Sequence, residues 1–136
     1  MPQFGVIGQG SIGKRHLCNL RQLFPDAQLF SVSASGNSRA GTAEQAIALS
    51  LPQLIAHKPD FVIVASPASL HLQHTAALLA ADIPALVEKP LTANAQQTEQ
   101  FIQLLAQYPN SIVDVGYCLR FLPAAQLLQQ IISSQQ

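Results

Sequence analysis

The stretch GVIGQGSIGKRHLCNL, Gly5–Leu20, carries an apolar strand end into three closely spaced glycines and then into a helical pattern. Gly8, Gly10 and Gly13 spell G-x-G-x-x-G at that junction. Each glycine answers a different demand: Gly8 permits a tight turn, Gly10 lets a pyrophosphate approach the backbone, and Gly13 lets the helix pack closely on its strand. The start of the helix, at Ser11 and Ile12, then offers free N–H groups and a partial positive charge to the phosphates. Two other readings compete. Gly8–Lys14 also fits the G-x-x-x-x-G-K frame of a triphosphate loop, but that loop needs Ser or Thr next to hold magnesium, and here Arg15 follows. A purely structural glycine corner stays open as the third.

Outward from this turn the chain alternates strand and helix patterns. Strands are predicted at Gln3–Ile7, Gln28–Ser33, Phe61–Ala65, Ala85–Glu88 and Ser111–Gly116, mostly as near-continuous apolar runs of the kind found when both sheet faces are covered. Helices are predicted at Ser11–Phe24, Thr42–Ser50, Ser69–Ala81 and Asn94–Tyr108. Pro25 and Pro109 stop two of them, and Asn94 with Gln97 three residues later forms a capping pair. In the last of these helices Thr98, Phe101, Ile102, Leu105 and Tyr108 recur on one face, which is expected to pack on the sheet. The alternation predicts an α/β fold, a doubly wound parallel sheet in a three-layer α/β/α arrangement. Residues 1–121 are assigned to this domain, and 122–136 to a C-terminal helix with Leu127, Leu128, Ile131 and Ile132 at helical spacing.

Composition excludes several classes. The 136 residues suit one domain with a sizeable core. Seven basic and seven acidic residues balance to zero net charge, and no basic stripe is present, which argues against nucleic acid and acidic membranes as partners. No apolar run approaches the ~20 residues that span a bilayer, and the N-terminus shows no leader, so a cytoplasmic protein is expected. Cys18 and Cys118 match neither a disulfide framework nor a metal pair, and are expected to be reduced, buried thiols. His71 and His74 sit three apart with no cysteine or carboxylate near in sequence to complete a metal site, so none is assigned. The low charge, 10% of residues against 49% hydrophobic, leaves apolar surface for a partner and favours a homo-oligomer.

Three segments in order, GQGSIGKRH, VASPASLHLQHTAALLAADIPALVEKPLT and VGYCLRFLPA, resemble the N-terminal half of the Gfo/Idh/MocA family of NAD(P)-dependent sugar and polyol oxidoreductases. The triplet Glu88-Lys89-Pro90 is the most specific element. The resemblance implies a Rossmann domain that pairs, in family members, with a C-terminal substrate domain. It implies that Lys89 is the catalytic residue that binds the reacting substrate oxygen and assists proton transfer, complementing hydride transfer by the cofactor. Glu88 is expected near the cofactor ribose, and Pro90 holds Lys89 extended, with a cis bond as one way of doing so. Ser66, Pro67 and His71 are implied to line the nicotinamide ribose and diphosphate region, and Arg120 to approach the cofactor. A solvated lysine and an ordinary surface arginine are the alternatives for Lys89 and Arg120; Cys118 and Leu122 depart from the family's commoner asparagine and histidine.

Cofactor choice rests on the end of the second strand. An acid about 20 positions after the glycine turn would hold the ribose hydroxyls of NAD. The segment Leu29–Arg39 contains none, while Ser33 and Arg39 suit a 2′-phosphate, so NADP is expected over NAD. The chain stops soon after Arg120-Phe121, where a family member would continue, so the expected function is a dinucleotide-binding domain incomplete for catalysis alone. Whether it is an enzyme by itself is left undecided. The alternative is a noncatalytic nucleotide-binding or dimerising module, its apolar Leu122–Ile132 segment pairing with another copy or protein.

Overall fold

The computed structural model describes residues 1–38 and 46–134. Its strands are β1 (Gln3–Ile7), β2 (Gln28–Val32), β3 (Ile47–Ala48), β4 (Phe61–Val64), β5 (Ala85–Val87) and β6 (Val113–Val115), and its helices α1 (Ser11–Leu23), α2 (Leu51–His57), α3 (His71–Leu79), α4 (Ala95–Gln107) and α5 (Pro123–Ser133). The six strands form one parallel sheet in the order β3-β2-β1-β4-β5-β6. The chain starts in the middle, winds outward to β3, then returns to β4 on the other side of β1. A crevice opens at that reversal, outside the carboxyl ends of β1 and β4.

Alternation along each strand sends apolar side chains to both faces. Phe4, Val6, Leu29, Ile63 and Ala65 meet Leu17 and Leu20 of α1 on one face. Ile7, Phe30, Val32, Val62 and Val64 meet Leu54 of α2, Leu78 of α3 and Phe101 of α4 on the other. The expected three-layer, doubly wound sheet is therefore present. The five predicted strands stand within two residues of their expected ends. Asn94 caps α4 by accepting from the Gln97 amide at 2.9 Å, as its sequence position predicts.

Four expectations change. The helix predicted at Thr42–Ser50 is overturned where the structure describes it, and the remainder lies outside the described residues. Ile47–Ala48 instead pairs with Phe30–Ser31 as a short edge strand. The helix begins after Ser50, whose Oγ accepts from the Gln53 amide while the Gln53 side chain accepts from the Ser50 N–H at 2.9 Å, a reciprocal cap with Pro52 in the first turn. A cap that satisfies two otherwise unpaired groups outweighs the weak periodicity of the preceding residues. A second change concerns α3, whose predicted start is a 3₁₀ turn, Ala68–Leu70, so the α-helix proper begins at His71.

The third is α4, which docks on the sheet through Phe101, 1% exposed, while Ile102 is 64% exposed and Leu105 also faces out. Of the stripe read in sequence, Phe101 alone is buried, and the helix lies beside α3. The fourth is Cys118, which is exposed rather than buried, since it opens a surface 3₁₀ turn, Cys118–Phe121; Cys18 is half-buried. Residues 123–133 are helical, with Leu127, Leu128, Ile131 and Ile132 exposed. Among the described residues no helix is long and apolar enough to cross a membrane.

The packing of α4 gives a direct check. Phe101→Ala should lower unfolding free energy by about 3–5 kcal/mol, and Ile102→Ala should stay within about 0.5 kcal/mol of the parent, both read from urea denaturation midpoints at constant slope. Equal losses at the two positions would show that the exposed face is covered in solution.

Candidate functional site

The glycine turn has the geometry its sequence demands. Gly8 sits at φ +110°, a conformation that side-chain-bearing residues rarely adopt, and a Cβ there would overlap the backbone of Ala65 and Ser66. A Cβ on Gly13 would overlap the carbonyl oxygen of Gly8, so the helix can approach its strand only as glycine. Gly10 differs: its backbone is ordinary, and among the described residues nothing lies within 4 Å of where a Cβ would be. Space beside Gly10 is open. Gly10 is also the N-cap of α1 and offers no side chain to pair the first N–H groups, and the first turn carries no acid. Unpaired donors and the helix dipole therefore face that space.

A cleft of about 320 Å³ lies there, lined by Ser11, Ile12, Arg15, Ser66, Glu88 and Lys89. Two cationic side chains, one carboxylate and two hydroxyls thus meet at the helix N-terminus, a donor set suited to a diphosphate flanked by ribose. Glu88 is held on both sides: Oε1 pairs with His16 Nε2 of α1 at 2.7 Å, and Oε2 accepts from the Lys89 amide at 3.1 Å. The carboxylate also lies against Gly116, where a Cβ would stand 3.4 Å from it. The Lys89–Pro90 peptide is cis. Lys89 belongs to a second cleft as well, about 310 Å³ and walled by Pro90, Gly116, Tyr117, Cys118 and Leu119. That second cavity is apolar apart from the lysine.

Behind the crevice two buried histidines of α3 brace its walls. The two nitrogens of His71 lie against backbone carbonyls, Nε2 with Ser66 O at 2.7 Å and Nδ1 with Pro90 O at 3.1 Å and Leu91 O at 3.3 Å. The ring thereby ties the end of β4 to the loop after Lys89. His74 Nδ1 bonds Ser66 Oγ at 2.9 Å. Burial first, and the neighbouring His71 second, hold the pKa of His74 below the usual 6.5.

Of the residues singled out in sequence, Ser11, Ile12, Ser66, Glu88 and Lys89 line one cleft, with Gly8, Gly10 and Gly13 forming its turn. His71 stands behind the wall rather than in it, as a brace. Pro67 is exposed and starts the 3₁₀ turn. Ser33 lies past β2, its hydroxyl donating to Asn37 O at 2.8 Å. Arg39 lies outside the described residues. Arg120 is exposed and lines neither cleft. Sequence reading missed Arg15, His16 and His74. Arg15 and His16 stood inside the quoted glycine segment, where helical spacing from Gly13 could have flagged the inward-facing His16; nothing local ties His74 to Ser66.

The fold and the turn define a dinucleotide-binding Rossmann domain. The chain belongs to the Gfo/Idh/MocA family: the pattern described as "Oxidoreductase family, NAD-binding Rossmann fold" matches residues 3–117. Among curated relatives, inositol 2-dehydrogenase of Pseudarthrobacter chlorophenolicus is 30% identical over 96% of this chain and 41% of its own length. That of Acidiphilium cryptum is 26% identical over 98% of this chain and 42% of its own. The chain thus spans about two fifths of the length of these relatives. The fold also matches scyllo-inositol dehydrogenase from Lactobacillus casei, solved with bound NAD(H) and scyllo-inositol, with a TM-score of 0.80 at 23% identity over 98% of this chain and 41% of that one. An NAD binding oxidoreductase from Klebsiella pneumoniae matches with a TM-score of 0.78 at 26% identity, over 98% of this chain and 38% of that one.

The depressed His74 pKa has a consequence for stability. The unfolded chain binds a proton there at higher pH than the folded one, so the stability from burying the neutral ring is full above the unfolded pKa of 6.5 and declines as pH falls below it. Urea midpoints should therefore fall from pH 7.5 to pH 5.5. His74→Gln should flatten that slope, and an unchanged slope would place its origin elsewhere.

Proposed function

We propose that the chain binds a nicotinamide dinucleotide in the Ser11–Lys89 cleft and is the cofactor half of a sugar or polyol oxidoreductase. The observation that carries the reading is the convergence of the open Gly10 turn, the uncapped start of α1, and Ser66, Glu88 and Lys89 at the reversal of strand order. The α1 N–H groups and Arg15 hold the diphosphate; Glu88, fixed by His16, accepts from ribose hydroxyls. A nicotinamide ring, when bound, supplies the acceptor or donor of a hydride. Lys89 orients the substrate oxygen and gives it a proton, or takes one, at Nζ. The inositol dehydrogenases among the relatives support a polyol as the substrate class. Turnover requires substrate contacts supplied by further polypeptide, and a cytoplasmic setting suits the two free thiols.

The cofactor preference follows from the end of β2. Ser33–Ser38 carries no carboxylate, and Arg39 follows in sequence, which supports NADPH over NADH. A second reading, a noncatalytic module that self-associates, draws on the exposed Leu127, Leu128, Ile131 and Ile132 of α5. A homo-oligomer is compatible with both readings; only the first predicts cofactor binding.

Fluorescence titration with NADH and NADPH separates them. Saturable binding of both is expected, tighter for NADPH; tighter NADH binding overturns the preference, and no binding of either overturns the first reading. Gly10→Leu meets no neighbour within 4 Å but replaces a favoured N-cap residue with a poor one, so stability should fall by about 1 kcal/mol and the fold should persist. Its affinity for either dinucleotide should fall about tenfold or more, since the added side chain stands where the ligand must lie.

A further inference from the structure

Two histidines one helical turn apart converge on a single serine. His71 holds the carbonyl of Ser66 and His74 its hydroxyl, so both polar ends of a residue that is 7% exposed are fixed from behind. Packing alone does not call for this. His74 is 2% exposed and neighbours Leu78 and Leu79 on α3, where an aliphatic side chain would fill the volume without burying ring nitrogens. The polar ring is compensated by its bond to Ser66 Oγ. Ser66, in turn, is a wall of the cleft and adjoins the Gly8 turn, whose missing Cβ leaves room for the Ser66 backbone.

A serine hydroxyl has one donor and two acceptor directions, and a free one rotates among them. With one direction committed to His74, the others are fixed in space before any ligand arrives, which lowers the entropic cost of using them. We propose that His74 is a positioning residue for the dinucleotide, acting through Ser66: it locks the hydroxyl so that one of its two remaining hydrogen-bonding directions meets the ligand in the cleft. The inference rests on the dinucleotide reading above and adds to it a residue that never touches the ligand.

The test is a double-mutant cycle on NADH affinity with the full chain, each variant first checked by thermal melting. Ser66→Ala and His74→Leu should each weaken binding about fivefold, the worth of one hydrogen bond, and the double variant should be no weaker than Ser66→Ala alone. His74→Asn, which places an amide atom where Nδ1 stood, should restore affinity to within about twofold of the parent. His74→Gln, which is polar but reaches the other nitrogen's position, should behave like His74→Leu and replaces it in the cycle if the leucine variant does not fold. Parent binding with losses that add in full, or with no loss at His74, overturns the positioning role while leaving the dinucleotide reading intact. A parent that binds neither dinucleotide overturns both.

Discussion

A side chain on Gly13 would occupy the position of the Gly8 carbonyl oxygen, and one on Gly8 would occupy the backbone of Ala65 and Ser66. These two contacts set how close α1 comes to β1 and how close the turn comes to the end of β4. The rest of the cleft follows from that distance. Because the helix starts against β4, Ser11, Ile12 and Arg15 share a cavity with Ser66 and Lys89. One turn further along the helix, His16 reaches Glu88 from 72 residues away and fixes the carboxylate. Hydrophobic burial holds the layers together, with Leu17 and Leu20 on one face and Leu54, Leu78 and Phe101 on the other, but burial alone is indifferent to an ångström of sliding. The glycine contacts are not, because backbone atoms have nowhere to move.

The division of labour explains what could be read from sequence. Gly8, Gly10 and Gly13 act through local backbone geometry, so their spacing alone carried their place in the turn. The central strands were legible because burial on both faces demands unbroken apolar runs. Edges were not. β3 is two residues long and held by one neighbour, so it leaves no periodic trace, and the start of α2 is marked by a reciprocal Ser50–Gln53 cap rather than by apolar spacing. Within the site, Lys89 and Glu88 were legible through a specific triplet, whereas His16 and His74 act across folded distance. The pairing of His74 with Ser66 spans a strand end and a 3₁₀ turn whose path no propensity encodes. His71 was singled out as a site residue, yet its contacts with the carbonyls of Ser66, Pro90 and Leu91 make it a brace.

Lys89 stands at the boundary of two unlike cavities. On one side is the polar cleft of Ser11, Arg15 and Glu88; on the other is an apolar one walled by Pro90, Tyr117 and Leu119. An ammonium facing an apolar wall gains electrostatic strength as water is excluded, because the local dielectric falls. Here that wall is open, and the residues after it, Phe121 and Leu122, lead into α5 with its exposed apolar side chains. Helix α5 packs against the 3₁₀ turn Cys118–Phe121, part of which walls this cleft, so the open cleft and the exposed helix are neighbours. On the proposed reading, a contact that buries Leu127 and Ile131 would also limit water around Lys89. The polar cleft draws its lining from the start of α1 and from residues just past β4 and β5. On the proposed reading, cofactor binding is a property of this chain by itself, and the reactivity of Lys89 depends on what lies against α5.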